Sequence, residues 1–272
     1  MSDLKIAIAG AGGRMGAANI RAVAATPGIV VHSAFDRPGS PAIGRDAGEA
    51  AGIEKLGVAI IDDPEAAVVG ADAIIDFTGP AVSVMLAELA AQRGMIDIIG
   101  TTGCSKEEDW AIAKSGSAGA RIVKTGNFSL GVNMLAGLVR QVARSLPDYD
   151  IEVLEMHHNR KVDAPSGTAL MLGKAAADGR GIDFDANAVR SREGHTGARV
   201  PGNIGFATLR GGNVIGEHTV MFVGDTERIE IVHRATDRGM FAAGAVRAAL
   251  WAKDQPPGFY DMADVLDLKR VV

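Results

Sequence analysis

One rhythm limits the possible folds of this chain more than any other feature. Between residues 4 and 126, short runs rich in Val, Ile and Ala (LKIAIAG, IVVHSAF, GVAII, ADAIIDF, MIDIIG and ARIVKTG) alternate with helical patterns such as RMGAANIRAVAAT. Strands that are apolar on both faces and separated by helices call for a parallel sheet covered on each side. Residues 1–128 are therefore expected to form an α/β domain, a Rossmann-like doubly wound parallel sheet. Local punctuation agrees: Pro27-Gly28 closes the first helix, Pro80 opens a helix running to Gln92, and Ser105 with Glu108 spells a capping box.

Beyond residue 129 the rhythm changes. A helix is expected over Val132 to Ser145, then a strand, DIEVLEM, then a helix beginning at Ser166. GFATLRG, NVIGEHTVMFV and ERIEIVHRA follow as strands with little helix between them. Residues 129–238 thus read as a separate α+β unit built on a mixed sheet. A last helix, Met240 to Lys253, precedes the tail PPGFYDMADVLDL.

Composition narrows the function. A chain of 272 residues with 47% hydrophobic content can bury a sizeable core. Its formal net charge of -5 and scattered Lys and Arg give no basic footprint, so no nucleic-acid partner is expected. No run approaches the ~18 apolar residues of a membrane span. Cys104 is the single cysteine, which rules out an internal disulfide and suits a reducing cytoplasm. The expectation is a soluble cytoplasmic protein with no membrane partner.

The turn GAGGRMG (Gly10, Ala11, Gly12, Gly13, Arg14, Met15 and Gly16) joins the first strand to the first helix. Glycines there let the backbone approach a pyrophosphate, whose charge is stabilised by the N–H groups of the helix N-terminus. The second strand ends at Asp36, about 20 residues on, where an acid can bind ribose hydroxyls. Its neighbour Arg37 can pair with a 2'-phosphate, so the pair leaves NADH and NADPH both open. Gly100, Thr101 and Thr102, and Thr125, Gly126, Asn127 and Phe128, lie where later strands end, facing the nicotinamide side of such a site.

Residues 155–170, EMHHNRKVDAPSGTAL, gather other chemistry. His157 and His158 follow an extended run, so both can serve one site only if the strand ends there. Ser166 is a good N-cap, and it aims the N–H groups of Gly167 and Thr168 at whatever anion lies ahead of the helix. With Lys161 these residues make a carboxylate or phosphate pocket beside an imidazole. Adjacent histidines lack i, i+4 ligand spacing, so no metal is expected.

These motifs, together with DFT at 76–78, GTTG at 100–103, GNFSLGVN at 126–133, SREGHTG at 191–197 and GEHTVMF at 216–222, resemble the 4-hydroxy-tetrahydrodipicolinate reductase (dihydrodipicolinate reductase) family from end to end. The resemblance implies NAD(P)H-dependent reduction of a small cyclic imine dicarboxylate, with loss of water, in the diaminopimelate route to lysine. It implies His157 as general acid/base, Lys161 as proton donor, and His158, Gly167 and Thr168 as substrate-holding residues. The glycine turn, Asp36, Arg37, Gly100 to Thr102 and Thr125 to Phe128 would line the cofactor. Residues 239–272 would complete the first domain, and the middle domain would bind substrate and assemble a homotetramer. Asp36 departs from the Glu of many members, and Gly79 from the Arg of some. Two other readings compete: a semialdehyde dehydrogenase with Cys104 as nucleophile, and a non-catalytic dinucleotide sensor.

Overall fold

A computed structural model describes residues 2–268. Chain contacts divide it into two units, one formed by residues up to Ser129 with Gly239–Asp267, the other by Leu130–Arg238. Residues 269–272, part of the segment expected to complete the first domain, lie outside the described residues. No described helix is long and apolar enough to cross a membrane.

The first unit carries β1 (Leu4–Ala9), α1 (Arg14–Ala24), β2 (Ile29–Phe35), α2 (Ala47–Ala51), β3 (Ile60–Ile61), α3 (Pro64–Ala67), β4 (Ala73–Asp76), α4 (Pro80–Arg93), β5 (Ile96–Ile99), α5 (Lys106–Ser117) and β6 (Arg121–Lys124). The second unit carries α6 (Leu130–Ser145), β7 (Asp150–His157), α7 (Gly167–Arg180), α8 (Phe184–Asn187), β8 (Ala188–Val189), β9 (Ile204–Arg210), β10 (Glu217–Val223) and β11 (Arg228–Arg234). The chain then returns to the first unit with α9 (Gly239–Ala252), β12 (Gly258–Tyr260) and α10 (Met262–Val265).

The first sheet has the order β12-β6-β5-β4-β1-β2-β3 with every pairing parallel. Strand order reverses between β1 and β4, which is where open sheets of this kind bind ligands. Ile74, Ile99 and Ile122 of the sheet pack with Leu86, Ala90 and Ile112 of α4 and α5. Helix ends follow local chemistry: Pro80 stands in the first turn of α4, Gly94 closes it in the left-handed conformation, and Ser105 and Glu108 cap α5 reciprocally.

Two short strands differ from expectation. GVAII yields only Ile60–Ile61, because the amides of Leu56, Gly57 and Val58 donate to the Asp46 carboxylate instead of a strand ladder. The tail contributes β12, a three-residue strand whose length gives periodicity nothing to register.

In the second unit the sheet order is β11-β10-β7-β9-β8; β10 runs antiparallel to β7 and β11, while β9 runs parallel to β7 and β8. β7 alternates as a strand with one covered face should: Ile151, Val153, Glu155 and His157 are buried, and their neighbours less so. Ile151, Val153, Val220 and Phe222 pack with Leu135 and Val139 of α6 and Leu172 and Ala176 of α7. That buried row ends, toward the carboxyl end of β7, in two titratable side chains rather than two more aliphatic ones.

Candidate functional site

The glycine turn is built for close approach. Gly10 adopts φ +66°, and a Cβ on Gly16 would fall 2.1 Å from the Gly10 carbonyl oxygen, so helix and turn touch backbone to backbone. No side chain caps α1, and its first turn contains no acidic residue. The N-terminal N–H groups and their positive dipole are thus left to an anion. Ala11 is buried and donates its amide to Phe35; Gly12, Gly13 and Arg14 are exposed, Met15 is half-buried and Gly16 is buried.

Asp36, at the end of β2, holds this turn. Its carboxylate accepts from the Gly12 amide (2.9 Å), the Ser40 hydroxyl (2.9 Å) and the Arg37 amide (2.8 Å). A carboxylate can accept roughly four such bonds, which leaves capacity for a ribose hydroxyl. A cavity of about 680 Å³ runs along these residues, bounded by Gly10, Gly12, Asp36, Arg37, Thr78 and Gly79 among others. These features fit a dinucleotide.

The later turns are more interior. Thr101 is buried and accepts a hydrogen bond from Ser83 (2.8 Å), whereas Thr102 is exposed. Phe128 is buried against Phe77 with ring centroids 5.5 Å apart, so its side chain supports the loop rather than facing a ligand. Gly126 is exposed, and Gly100, Thr125 and Asn127 are half-buried. Cys104 packs against the α4/α5 core, and burial pushes its thiol up, the opposite of what activates a nucleophile.

In the second unit β7 ends at His157, and the chain turns through residues 158–165 with a cis Ala164–Pro165 bond. Lys161 Nζ lies 2.8 Å from both oxygens of Asp163, whose carboxyl it holds below the ordinary range. Ser166 caps α7 by accepting from the Ala169 amide (3.1 Å), and Gly167 and Thr168 form the first turn at the positive end of the helix. Burial, then the charges of Arg160 and Arg238, lowers the pKa of His158. Those cations, with Lys161, suit a ligand bearing carboxylates.

Three residues outside the expected set join this site. Glu155, only 1% exposed, lies 2.5 Å from His157 Nδ1 and accepts from the Ser166 amide (3.1 Å) and both ends of the Arg210 guanidinium (2.8 and 3.0 Å). Burial alone would raise the Glu155 pKa; the bonds from Arg210, His157 and Ser166 outweigh it and hold the carboxyl low. His218 Nε2 lies 3.1 Å from the Ser166 hydroxyl, and its ring meets His157 edge-on. Burial, and next the neighbouring His157, pushes His218 down to about 4. The available signal was the strand period, which places Glu155 and His157 on one face; Arg210 and His218 arrive from other strands.

Fold and sites together define a two-unit chain of the nucleotide-binding, doubly wound class, with a cluster of histidines, cations and a helix N-terminus on its second unit. Residues 4–128 match the N-terminal part of dihydrodipicolinate reductase, and residues 131–266 match the C-terminal part. The chain belongs to the dihydrodipicolinate reductase family. It is 57% identical to a 4-hydroxy-tetrahydrodipicolinate reductase of Rhizobium rhizogenes, over 98% of this chain and 99% of that one. It is 55% identical to the Rhodopseudomonas palustris enzyme of the same name, over 100% of both. Among solved structures, a dipicolinate-bound dihydrodipicolinate reductase from Paenisporosarcina shares the fold, with TM-score 0.77 and 22% identity over 95% of this chain and 97% of that one.

Proposed function

We propose that this chain reduces 4-hydroxy-tetrahydrodipicolinate to tetrahydrodipicolinate, with loss of water, in the diaminopimelate route to lysine, using NADH or NADPH. The observation that carries the reading is the company His157 keeps: an imidazole, the Lys161 ammonium and the N-terminus of α7 gathered in one unit of a chain whose other unit bears a dinucleotide turn. Family membership and 57% identity to a relative of that name support it.

In this reading the Gly10 to Gly16 turn receives the pyrophosphate, Asp36 the ribose, and Arg37 a 2'-phosphate if present. Gly100 to Thr102 and Thr125 to Phe128 border the nicotinamide, which supplies hydride when bound. The amides of Gly167 and Thr168, with Ser166 and His158, hold substrate carboxylate and orient the ring. Loss of water leaves a conjugated imine. Reduction moves electron density onto the ring nitrogen, and the resulting enamine has to be protonated. Lys161 donates that proton, and His157 acts as general acid/base.

Assembly as a homotetramer through the second unit belongs to the same proposal. The register of β7, β9, β10 and β11 places Leu154, Met156, Leu209 and Val232 on one sheet face, with Leu209 48% and Val232 40% exposed. A soluble protein that leaves such a face bare has reason to pair it.

The test supplies the condensation product of pyruvate and aspartate semialdehyde with NADPH or NADH and follows nicotinamide absorbance. Wild type should turn over, and Lys161→Ala should lose on the order of 10²–10⁴-fold in kcat while dinucleotide affinity holds. Tight dinucleotide binding without turnover by wild type would refute the reductase reading in favour of a sensor.

A further inference from the structure

We infer that Glu155, held by Arg210, is a positioning residue for His157: it fixes which ring nitrogen meets the ligand and balances the charge of the protonated ring. The inference deepens the proposed function and rests on His157 exchanging a proton with the bound imine.

Donors and acceptors around the carboxylate fix the ring. Glu155 receives N–H groups from Arg210 twice and from Ser166 once, and it lies 2.5 Å from His157 Nδ1. An ionised carboxylate only accepts, so Nδ1 carries a proton in every state of the ring. Nε2 is then the nitrogen that gains and loses one. Gly216 lies close to that nitrogen: a Cβ there would sit 3.0 Å from Nε2, so glycine avoids crowding it.

The surroundings assign the counter-charge. The titratable and charged groups about Glu155 are His157 on its own strand, Arg210 from β9, His218 from β10 with His233 behind it on β11, and Lys161 and Asp163 from the loop. His218 is neutral near pH 7 and contributes no charge. Arg210 also donates to the Asp163 carbonyl (2.7 Å), tying the carboxylate beneath His157 to the loop that carries Lys161. One guanidinium therefore sets the placement of both proton-handling groups.

The experiment combines kinetics with a spectroscopic signature. Glu155→Gln should lower kcat on the order of 10²-fold, the low end of what a positioned proton-transfer group contributes, with substrate KM little changed. The loss should fall on kcat alone, because substrate still binds while proton transfer is misdirected. A purely structural role would lower kcat and raise KM together; that outcome, or unchanged kcat, overturns the inference. The ring of ¹⁵N-histidine-labelled wild type, without ligand, provides a test that needs neither turnover nor a folded variant. A proton on Nδ1 of His157 throughout its titration upholds the inference, and a neutral ring protonated on Nε2 overturns it. Should wild type fail to reduce the imine, the proposed function falls, while the ring nitrogens still decide the positioning claim.

Discussion

Replacing Asp97 by valine should stabilise the first unit. Asp97 sits in the middle of β5, wholly buried, and pairs with Ile74 on one side and Ile122 on the other. Neither carboxyl oxygen has a hydrogen-bond partner among the described residues. Burial first, and then the nearby Asp76 charge, raises its pKa well above the ordinary value of 3.8. An unsatisfied buried polar group costs roughly 1–3 kcal/mol, and hydrocarbon in its place contributes about 0.8 kcal/mol per buried carbon group. Asp97→Val should therefore gain about 2–4 kcal/mol, which at roughly 2–4 °C per kcal/mol is a rise of about 4–16 °C in the melting transition of that unit. The pH dependence has a definite sign. Below 3.8 folded and unfolded forms are both protonated; as pH rises the unfolded chain ionises while the folded one resists, so the native residue costs more stability up to its raised folded pKa. Scanning calorimetry at pH 5 and pH 8 checks this. The gain should be larger at pH 8; no gain, or the same gain at both, would mean that Asp97 has a partner and refute the reasoning.

Two further outcomes separate the readings. Cys104→Ser should retain full reductase activity, since burial raises the thiol pKa; loss of turnover in the variant would return Cys104 to consideration as a nucleophile. Light scattering on the wild type should give four times the chain mass of 28.1 kDa, and Leu209→Arg on the uncovered sheet face should lower it; a monomeric wild type ends the tetramer proposal.

The alternation of apolar runs with helices made the first unit legible, because its strands are mostly buried on both faces and helices such as α4 and α5 carry local start or stop signals. Legibility failed where structure is short or its hydrogen bonds are unusual. Ile60–Ile61 and Gly258–Tyr260 are too brief to show a period, and the amides that would have extended β3 go to Asp46. In the site the same division holds. His157, Lys161 and the Ser166 to Thr168 turn are close in sequence and could be gathered from it. Arg210 and His218 reach Glu155 and Ser166 across 55 and 52 residues, through strand pairings that no local pattern specifies.

Two buried carboxyls show how far residue type falls short of chemistry. Asp97 and Glu155 each sit at a covered position of a strand, nearly closed to water. One meets isoleucines and has no donor, so burial raises its pKa and it burdens the fold. The other has Arg210, Ser166 and His157 around it, so it keeps its charge where burial alone would neutralise it. Retaining a buried charge is worth its desolvation only where something uses the field it makes. Beside Glu155 the proposed mechanism supplies such a user, His157, whose ring would carry a positive charge; beside Asp97 there is only another carboxylate, Asp76. The same physics therefore gives Glu155 a use under the proposed mechanism, and marks Asp97 as a residue the fold would be better without.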